Sequence, residues 1–410
     1  MRVLILASHF PRPANPLIGI WALLQAQGLR RAGHDVRVIS LTPWLPAAFS
    51  RLPRQGSLGR RLGEWASCPE RHDWDGVTAY YPRWPAYHAG PQRALLDRVP
   101  AVEMRPCWAV VKRPLDALVS SLAPDAIFAH QTPINGYVAA RIRALRGTPF
   151  VTIDHDLEGL NGLVERPRRR AHYQAVADAC SAMVGVSDAM SDLLSDLFAP
   201  RRVHTLHTGA DPVPEHLRAR RRPRDLERRT ILLAVGGFYP RKNLPLLVRA
   251  FAAVAADHPD AILRIIGDGE DRPGVEREIA AGGLADRVFL LGHQAHEVVL
   301  QEMVWCDAFA LVGRAEPCAT VYMEAMAAGK PLLVASDGGI NDVIRDGVHG
   351  LAVPPGDLPA TSAGLGTLLA DRAGRERMGA AAQALQQSDL TWDANGVALA
   401  GILAVAAGGT

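Results

Sequence analysis

The sequence predicts an α/β protein of two doubly wound domains, each a parallel sheet covered by helices on both faces. Three observations predict it. Short, uninterrupted apolar runs alternate with helix-like stretches along most of the chain, the pattern of strands buried on both faces. The 410 residues, 48% hydrophobic and 21% charged, suit two or three globular domains with cores of ordinary size. Charge also divides along the chain. Residues 1–230 carry 32 Lys and Arg against 21 Asp and Glu, and the remainder carry 13 against 21, as expected of two domains with different partners.

The elements follow in order. "RVLILAS" (2–8) is a first buried strand, 19–33 a helix, and "DVRVIS" (35–40) a second strand. Residues 43–105, rich in Pro, Trp and Arg, are expected to be an irregular insertion beside the first domain's cleft. Further strands fall at 125–130, 149–154 and 181–187. The basic, proline-containing "RARRRPRDLERR" (218–229) reads as linker or exposed loop. The second half repeats the alternation at 230–236, 261–269, 287–292, 307–312 and 331–336. The expected domains are therefore 1–205 and 230–387, joined by a linker at 206–229, with a final helix at 388–410 packing back on the first domain. Sheets of this kind take ligands at the carboxyl ends of their strands.

Several classes are disfavoured. The five cysteines are odd in number, widely spaced and without a C-x-x-C pair, which argues for a reducing compartment and against a zinc site or disulfide framework. The opening "MRVLILASHFPRP" lacks the long apolar region and cleavage site of a signal peptide, and no run of 18 apolar residues suggests a membrane span. No G-x-G-x-x-G follows the first strand, so a dinucleotide-dependent dehydrogenase is not expected.

The stretch "GRAEPCATVYMEAMAAGKPLL" (313–333) carries Glu316 and Glu324 eight positions apart. Pro317 disfavours helix at Glu316. The helix is therefore expected to begin near Ala319 or Thr320, leaving Glu316 on a loop at a strand's carboxyl end and Glu324 one turn into the helix. A carboxylate accepts two hydrogen bonds from adjacent hydroxyls, which suits a sugar or ribose diol. Upstream, "LLAVGGFYPRKNLPLLVRAF" (232–251) places Arg241 and Lys242 just beyond the glycine turn at Gly236, where two cations can meet a diphosphate. Downstream, Gly338-Gly339 are expected to open a helix whose amides, near Gly339 and Ile340, can hold another phosphate edge.

Taken in this order, the motifs resemble glycosyltransferase family 4, retaining enzymes of the GT-B fold. The E-x7-E pair, "EAMAAGKP" and "GGINDVIRDGVHGLAVPPGD" follow that family's pattern, "HTLHTGAD" (204–211) resembles the segment leading into its second domain, and "FPRPANPLIGIWALLQAQGLRRAGHDVRVIS" resembles its first strand, loop, helix and second strand, especially in bacterial members that build envelope polysaccharides. The resemblance implies two facing Rossmann-like domains with the donor cleft between them. It implies that Glu324 holds the nucleotide ribose, Glu316 the donor sugar hydroxyls, and Lys242 with Arg241 the diphosphate. It also implies that Gly19 lets the first loop approach the phosphates and that amides near Gly339 and Ile340 contact sugar or phosphate. The family's acceptor-side histidine aligns with Asp154, so His155, one position on, is the expected catalytic residue of the first domain, with Asp154 and His130 as the other candidates. The chain departs from the pattern at Gly237, where the family often has Arg, at Asn243 for Gly, at Glu316-Pro317-Cys318-Ala319 for E-P-F-G, and at Ile18-Gly19 for a double glycine.

The implied reaction moves a sugar from a nucleotide-diphosphate donor to an acceptor hydroxyl with retention, in cell-envelope or exopolysaccharide synthesis. Arg241 and Lys242 take the leaving group's charge, so no metal and no cofactor beyond the donor is expected. The expected acceptor is a glycan or lipid-linked molecule. The basic first half, with "ERPRRR" (165–170), suggests a cytoplasmic protein resting on an anionic inner membrane face, and nucleic acid is not expected as a partner. Two other readings stay open: a non-catalytic nucleotide-sugar-binding protein, motivated by Gly237, and a nucleotide-sugar epimerase or hydrolase of the same architecture.

Overall fold

The computed structural model describes residues 1–45, 56–84 and 100–408. They form two compact units, Met1–Leu206 with Trp392–Thr410, and His207–Thr391. The insertion expected at 43–105 lies partly outside the described residues.

In the first unit, β1 (Arg2–Leu6), β2 (Asp35–Ile39), β4 (Arg71–Trp74), β5 (Val77–Tyr80), β7 (Ala126–His130), β8 (Phe150–Asp154), β9 (Ala182–Gly185) and β10 (Val203–Thr205) form one sheet. Their order is β10-β9-β8-β7-β1-β2-β5-β4, and β4 is the antiparallel edge. β3 (Thr42–Pro43) and β6 (Arg83–Trp84) pair separately. Within the expected irregular region, β4 and β5 make a hairpin turned by Asp75 and Gly76, whose φ of 51° and 87° give the mirror-image turn that matches strand twist. Strand order reverses between β1 and β7, so the loops after these two strands flank the crevice.

The final helix, Trp392–Gly408, packs on the first unit against the helix Ile20–Arg31. Gly28 and Gly396 permit this crossing, because a Cβ on Gly28 would strike the Trp392 carbonyl. Gln25 donates to Asn395 inside the contact at 2.8 Å. The segment Arg372–Gly408 has the length and hydropathy of a membrane-crossing helix. It is interrupted at Leu390–Thr391, and Leu399 and Leu403 are fully buried. In Trp392–Gly408 the face carrying Leu399 and Leu403 is packed into the first unit's core.

In the second unit, β11 (Thr230–Val235), β12 (Ala261–Ile266), β13 (Val288–Gly292), β14 (Ala308–Leu311), β15 (Leu332–Ala335) and β16 (Gly350–Val353) are all parallel, in the order β13-β12-β11-β14-β15-β16. This is the doubly wound order with its switch point between β11 and β14. The stretch expected as a linker belongs to this unit. Arg218 donates to Val213 O at 3.1 Å and Ala327 O at 3.0 Å, and Arg222 holds Arg229 O at 3.0 Å and Asp307 at 3.2 Å. Residues 388–391, expected in the final helix, also fall on this side of the division.

Candidate active site

At the switch point of the second unit, β11 ends at Val235 and the chain passes through Gly236 and a short 3-10 turn, Pro240–Lys242, before the helix Leu244–Ala255. Gly236 leaves room for the Lys242 stem, which would press at 3.3 Å on any Cβ there. β14 ends at Leu311, and Glu316 stands on the following loop, as Pro317 requires. Lys242 Nζ donates to Glu316 Oε2 at 2.6 Å, and Arg241 Nε lies 3.3 Å from Oε1. Glu316 is 2% and Lys242 8% exposed, whereas Arg241 is one-third exposed. Glu316 Oε1 accepts no hydrogen bond from the described residues. A buried oxygen without a donor at a strand-end crevice is suited to a ligand hydroxyl.

The loops are tied together by backbone as well. Arg314 N donates to Arg241 O at 2.8 Å, and Gly339 N to Glu316 O at 2.8 Å. This corrects one expectation: the Gly339 amide is spent on positioning the Glu316 loop and is not presented to a phosphate. Gly339–Asp342 is a single 3-10 turn and not a helix, and Ile340 is buried within it. The Asn341 side chain closes that turn by donating to Ala335 O and Gly338 O.

Glu324 lies on the helix Thr320–Ala327, one turn in. His296, the first residue of the helix His296–Trp305, shares a 2.7 Å hydrogen bond with Glu324 Oε1. This hydrogen bond raises the His296 pKa. Glu324 Oε2 has no partner among the described residues. His296 was missed from sequence; the available signal was its place on the loop after β13, another carboxyl end.

The first unit gathers a second cluster. β8 ends at Asp154, which leaves His155 just beyond the strand. His155 Nε2 lies 3.1 Å from His130 Nδ1, with the rings stacked. Burial lowers His155 to about 4 and His130 well below its ordinary value, so both are neutral near pH 7. His130 Nε2 is buried without a hydrogen bond. Asp154 accepts from Thr132 Oγ1 at 2.6 Å and Thr132 N at 3.1 Å, and burial raises it to about 6. The D-x-D spacing of Asp154 and Asp156 is spent locally, since Asp156 caps the helix Leu157–Asn161. Around the histidines stand Ser8, His9, Gln131 and Asn135, none of them expected from sequence; His9 and Gln131 meet at 3.2 Å. Gly19, at φ 63°, caps the helix Ile20–Arg31, and a Cβ there would strike the His9 carbonyl. Its glycine is required by the loop's own backbone.

This fold, two parallel-sheet units with charged loops at strand carboxyl ends, is that of the GT-B proteins. The structure is similar to sucrose-phosphate synthase from Thermosynechococcus elongatus, with a TM-score of 0.76 at 18% identity over 100% of this chain and 99% of that one. It is also similar to Anabaena Alr3699/HepE in complex with UDP and glucose, with a TM-score of 0.68 at 19% identity over 98% and 99%. The profile described as Glycosyltransferase Family 4 matches residues 18–213, and that described as Glycosyl transferases group 1 matches residues 218–385. The chain belongs to the family 4-like glycosyltransferases. The alpha-D-kanosaminyltransferase of Streptomyces kanamyceticus is 32% identical over 239 residues, 57% of this chain and 62% of that protein. The chain spans about three-fifths to two-thirds of the length of such curated relatives.

Two consequences are measurable. Lys242→Ala leaves the buried Glu316 with only the half-screened Arg241, and breaking a buried pair costs about 3–5 kcal/mol. Arg241→Ala, at a one-third-exposed position, costs about 0–1 kcal/mol. Urea denaturation should rank them in that order, and equal losses would mean that Lys242 does not neutralise Glu316. The raised His296 pKa means its pair with Glu324 contributes fully below about 6.5, the unfolded value, and fades as pH rises through the higher folded value. The His296 side chain is 43% exposed, so the effect is screened to about 1 kcal/mol or less. His296→Gln should flatten the melting-temperature profile across that window, and an unchanged profile would remove the pair's role.

Proposed function

We propose that the protein is a retaining, metal-independent glycosyltransferase that moves a sugar from a nucleotide-diphosphate sugar to an acceptor hydroxyl in cell-envelope or exopolysaccharide synthesis. The observation that carries this reading is Glu316, buried at the switch point beside two cations with one oxygen lacking a donor. A departing diphosphate gains negative charge as an oxocarbenium-like centre forms. Arg241 and Lys242, already fixed in place, stabilise that charge without reorganisation, typically the largest catalytic contribution. Glu316 Oε1 takes a hydroxyl of the sugar, and Glu324 takes the ribose diol through Oε2. The neutral His130–His155 pair stands ready to accept a hydrogen bond on the acceptor side. The Anabaena relative in complex with UDP and glucose supports a donor of this kind.

Under this reading Glu324→Ala weakens nucleotide-sugar binding, while Glu316→Ala chiefly slows transfer, each by about 1.5–3 kcal/mol. A thermal-shift screen of UDP-, GDP-, ADP- and dTDP-sugars identifies the donor, since a bound ligand stabilises the fold. Turnover is then followed with and without EDTA, and the product's anomeric configuration is read by NMR. Strict dependence on a divalent metal, or inversion, would refute the mechanism. Binding without turnover would favour the non-catalytic reading.

We infer further that the acceptor side rests on an anionic membrane surface. In the first unit the helices Pro100–Leu122, Tyr137–Arg146 and Pro167–Ala179 touch one another. They expose Arg105, Lys112, Arg113, Arg141, Arg168 and Arg170. Val110, on the first of these helices, and Val164, just before the last, are 64% and 63% exposed. A basic residue near an anionic bilayer contributes about 1 kcal/mol, screened by salt. Co-sedimentation with anionic vesicles should fall as salt is raised and when Arg168, Arg169 and Arg170 become Gln. Indifference of the wild-type chain to such vesicles at low salt would overturn the placement.

A further inference from the structure

The second unit has a cavity of about 610 Å³ at the opposite edge of its sheet from Glu316. It lies under the amino ends of β11, β14 and β15, with Thr230, Asp307 and Pro331 in its wall. None of the residues assigned to the donor reaches it. Six cations line it against three acids. Two of the acids are already matched: Asp307 by Arg222 at 3.2 Å, and Glu376 by Arg372 at 2.8 Å.

Of the four remaining cations, Lys330 and Arg375 are held by groups that do not neutralise them. Lys330 Nζ donates to Val304 O at 2.9 Å and Cys306 O at 2.7 Å, at the end of the helix His296–Trp305. Arg375 donates to Leu368 O and Leu369 O, at the end of the helix Leu358–Ala370. Carbonyls at helix C-termini fix these side chains in place and offset only a partial charge. Arg228 and Arg229 have no such structural duty: neither side chain has a hydrogen bond or ion pair among the described residues. Only Glu227 is left to balance the four.

We propose that this cavity is a binding site for a phosphate ester of small-molecule size, separate from the donor site. Arginines present a planar fork that matches phosphate oxygens in pairs, and Lys330 adds a fixed point charge. The volume exceeds what inorganic phosphate fills and falls within the range of small-molecule sites. The ester's phosphate lies against Arg228, Arg229 and Lys330, and its organic part fills the rest.

Isothermal titration with glucose 6-phosphate, inorganic phosphate and glucose tests this on the full chain. Glucose 6-phosphate should bind the wild type saturably and more tightly than inorganic phosphate, while glucose should not bind. Arg228→Gln/Arg229→Gln should weaken the ester by about tenfold or more. Arg241→Ala, at the other end of the sheet, should leave its affinity unchanged. Raising salt should weaken binding. The arginine pair makes no contact the fold needs, so an unchanged melting temperature is expected, and Arg228→Gln alone provides a second variant in the same direction. Absence of saturable binding, equal affinity for ester and inorganic phosphate, or loss in Arg241→Ala with retention in Arg228→Gln/Arg229→Gln would each overturn the proposal.

Discussion

The buried Glu316 carboxylate is the contact on which the second unit's crevice depends. Burying a carboxylate and an ammonium costs several kcal/mol per ion, and a pair of this kind is often no better for stability than apolar side chains of equal volume. What it supplies is position. Lys242 arrives on the loop after β11 and Glu316 on the loop after β14, the two strands between which the order reverses. Their 2.6 Å contact fixes the width of the crevice, and the Gly339 amide on the Glu316 carbonyl adds the loop after β15. One residue, through its side chain and its backbone, therefore sets three strand-end loops.

The same loops hold their strain close to that residue. Ala315 at φ 45°, Cys318 at φ 151° and Asn243 at φ 50° all occupy backbone regions that favour glycine. Each such residue costs about 1–3 kcal/mol and persists only where its surroundings over-determine it. The surroundings do so here: Asp337 accepts from Ala315 N at 3.1 Å, Thr208 Oγ1 donates to Cys318 O at 3.2 Å, and Asn243 opens a helix whose apolar face is buried. Strain placed on both sides of a buried acid keeps its carboxylate from relaxing toward solvent. That is the preorganisation a charge-stabilising site needs.

Much of this was legible in the sequence, for physical reasons. Strands buried on both faces must be apolar throughout, and ten strands stood out as apolar runs, the edge strand β13 among them although it is only partly buried. Pro317 set the loop position of Glu316, and Glu324 fell on the helix as expected. The missing pieces share a cause. β4 is half-exposed and polar and β5 is only four residues long, so the Asp75-Gly76 turn was the one signal that marked them. β10 is three residues long at an edge. The pairing of His296 with Glu324 spans 28 residues and exists only after folding. The stretch 218–229 looked like a linker because it is basic, but Arg218 and Arg222 bind carbonyls of this unit that the sequence does not display. The turn at Gly339 failed to become a helix because Asn341 offers its backbone a closer partner.

The two edges of the second sheet differ in how they hold cations, and that difference bears on what each can bind. At the carboxyl edge Arg241 and Lys242 lie against Glu316, so one of the two charges is neutralised, and on the proposed function a diphosphate there would share its cations with a carboxylate. Such sharing makes the grip on a ground-state donor weaker and leaves room for it to strengthen as leaving-group charge grows, which is the condition for faster chemistry. At the amino edge Lys330 and Arg375 rest on helix-end carbonyls, and Arg228 and Arg229 rest on nothing. A cluster that keeps its net charge is suited to holding an anion and not to releasing one. The sheet thus gives its cations a carboxylate partner at one edge and carbonyl partners or none at the other, the difference on which the two proposed roles rest.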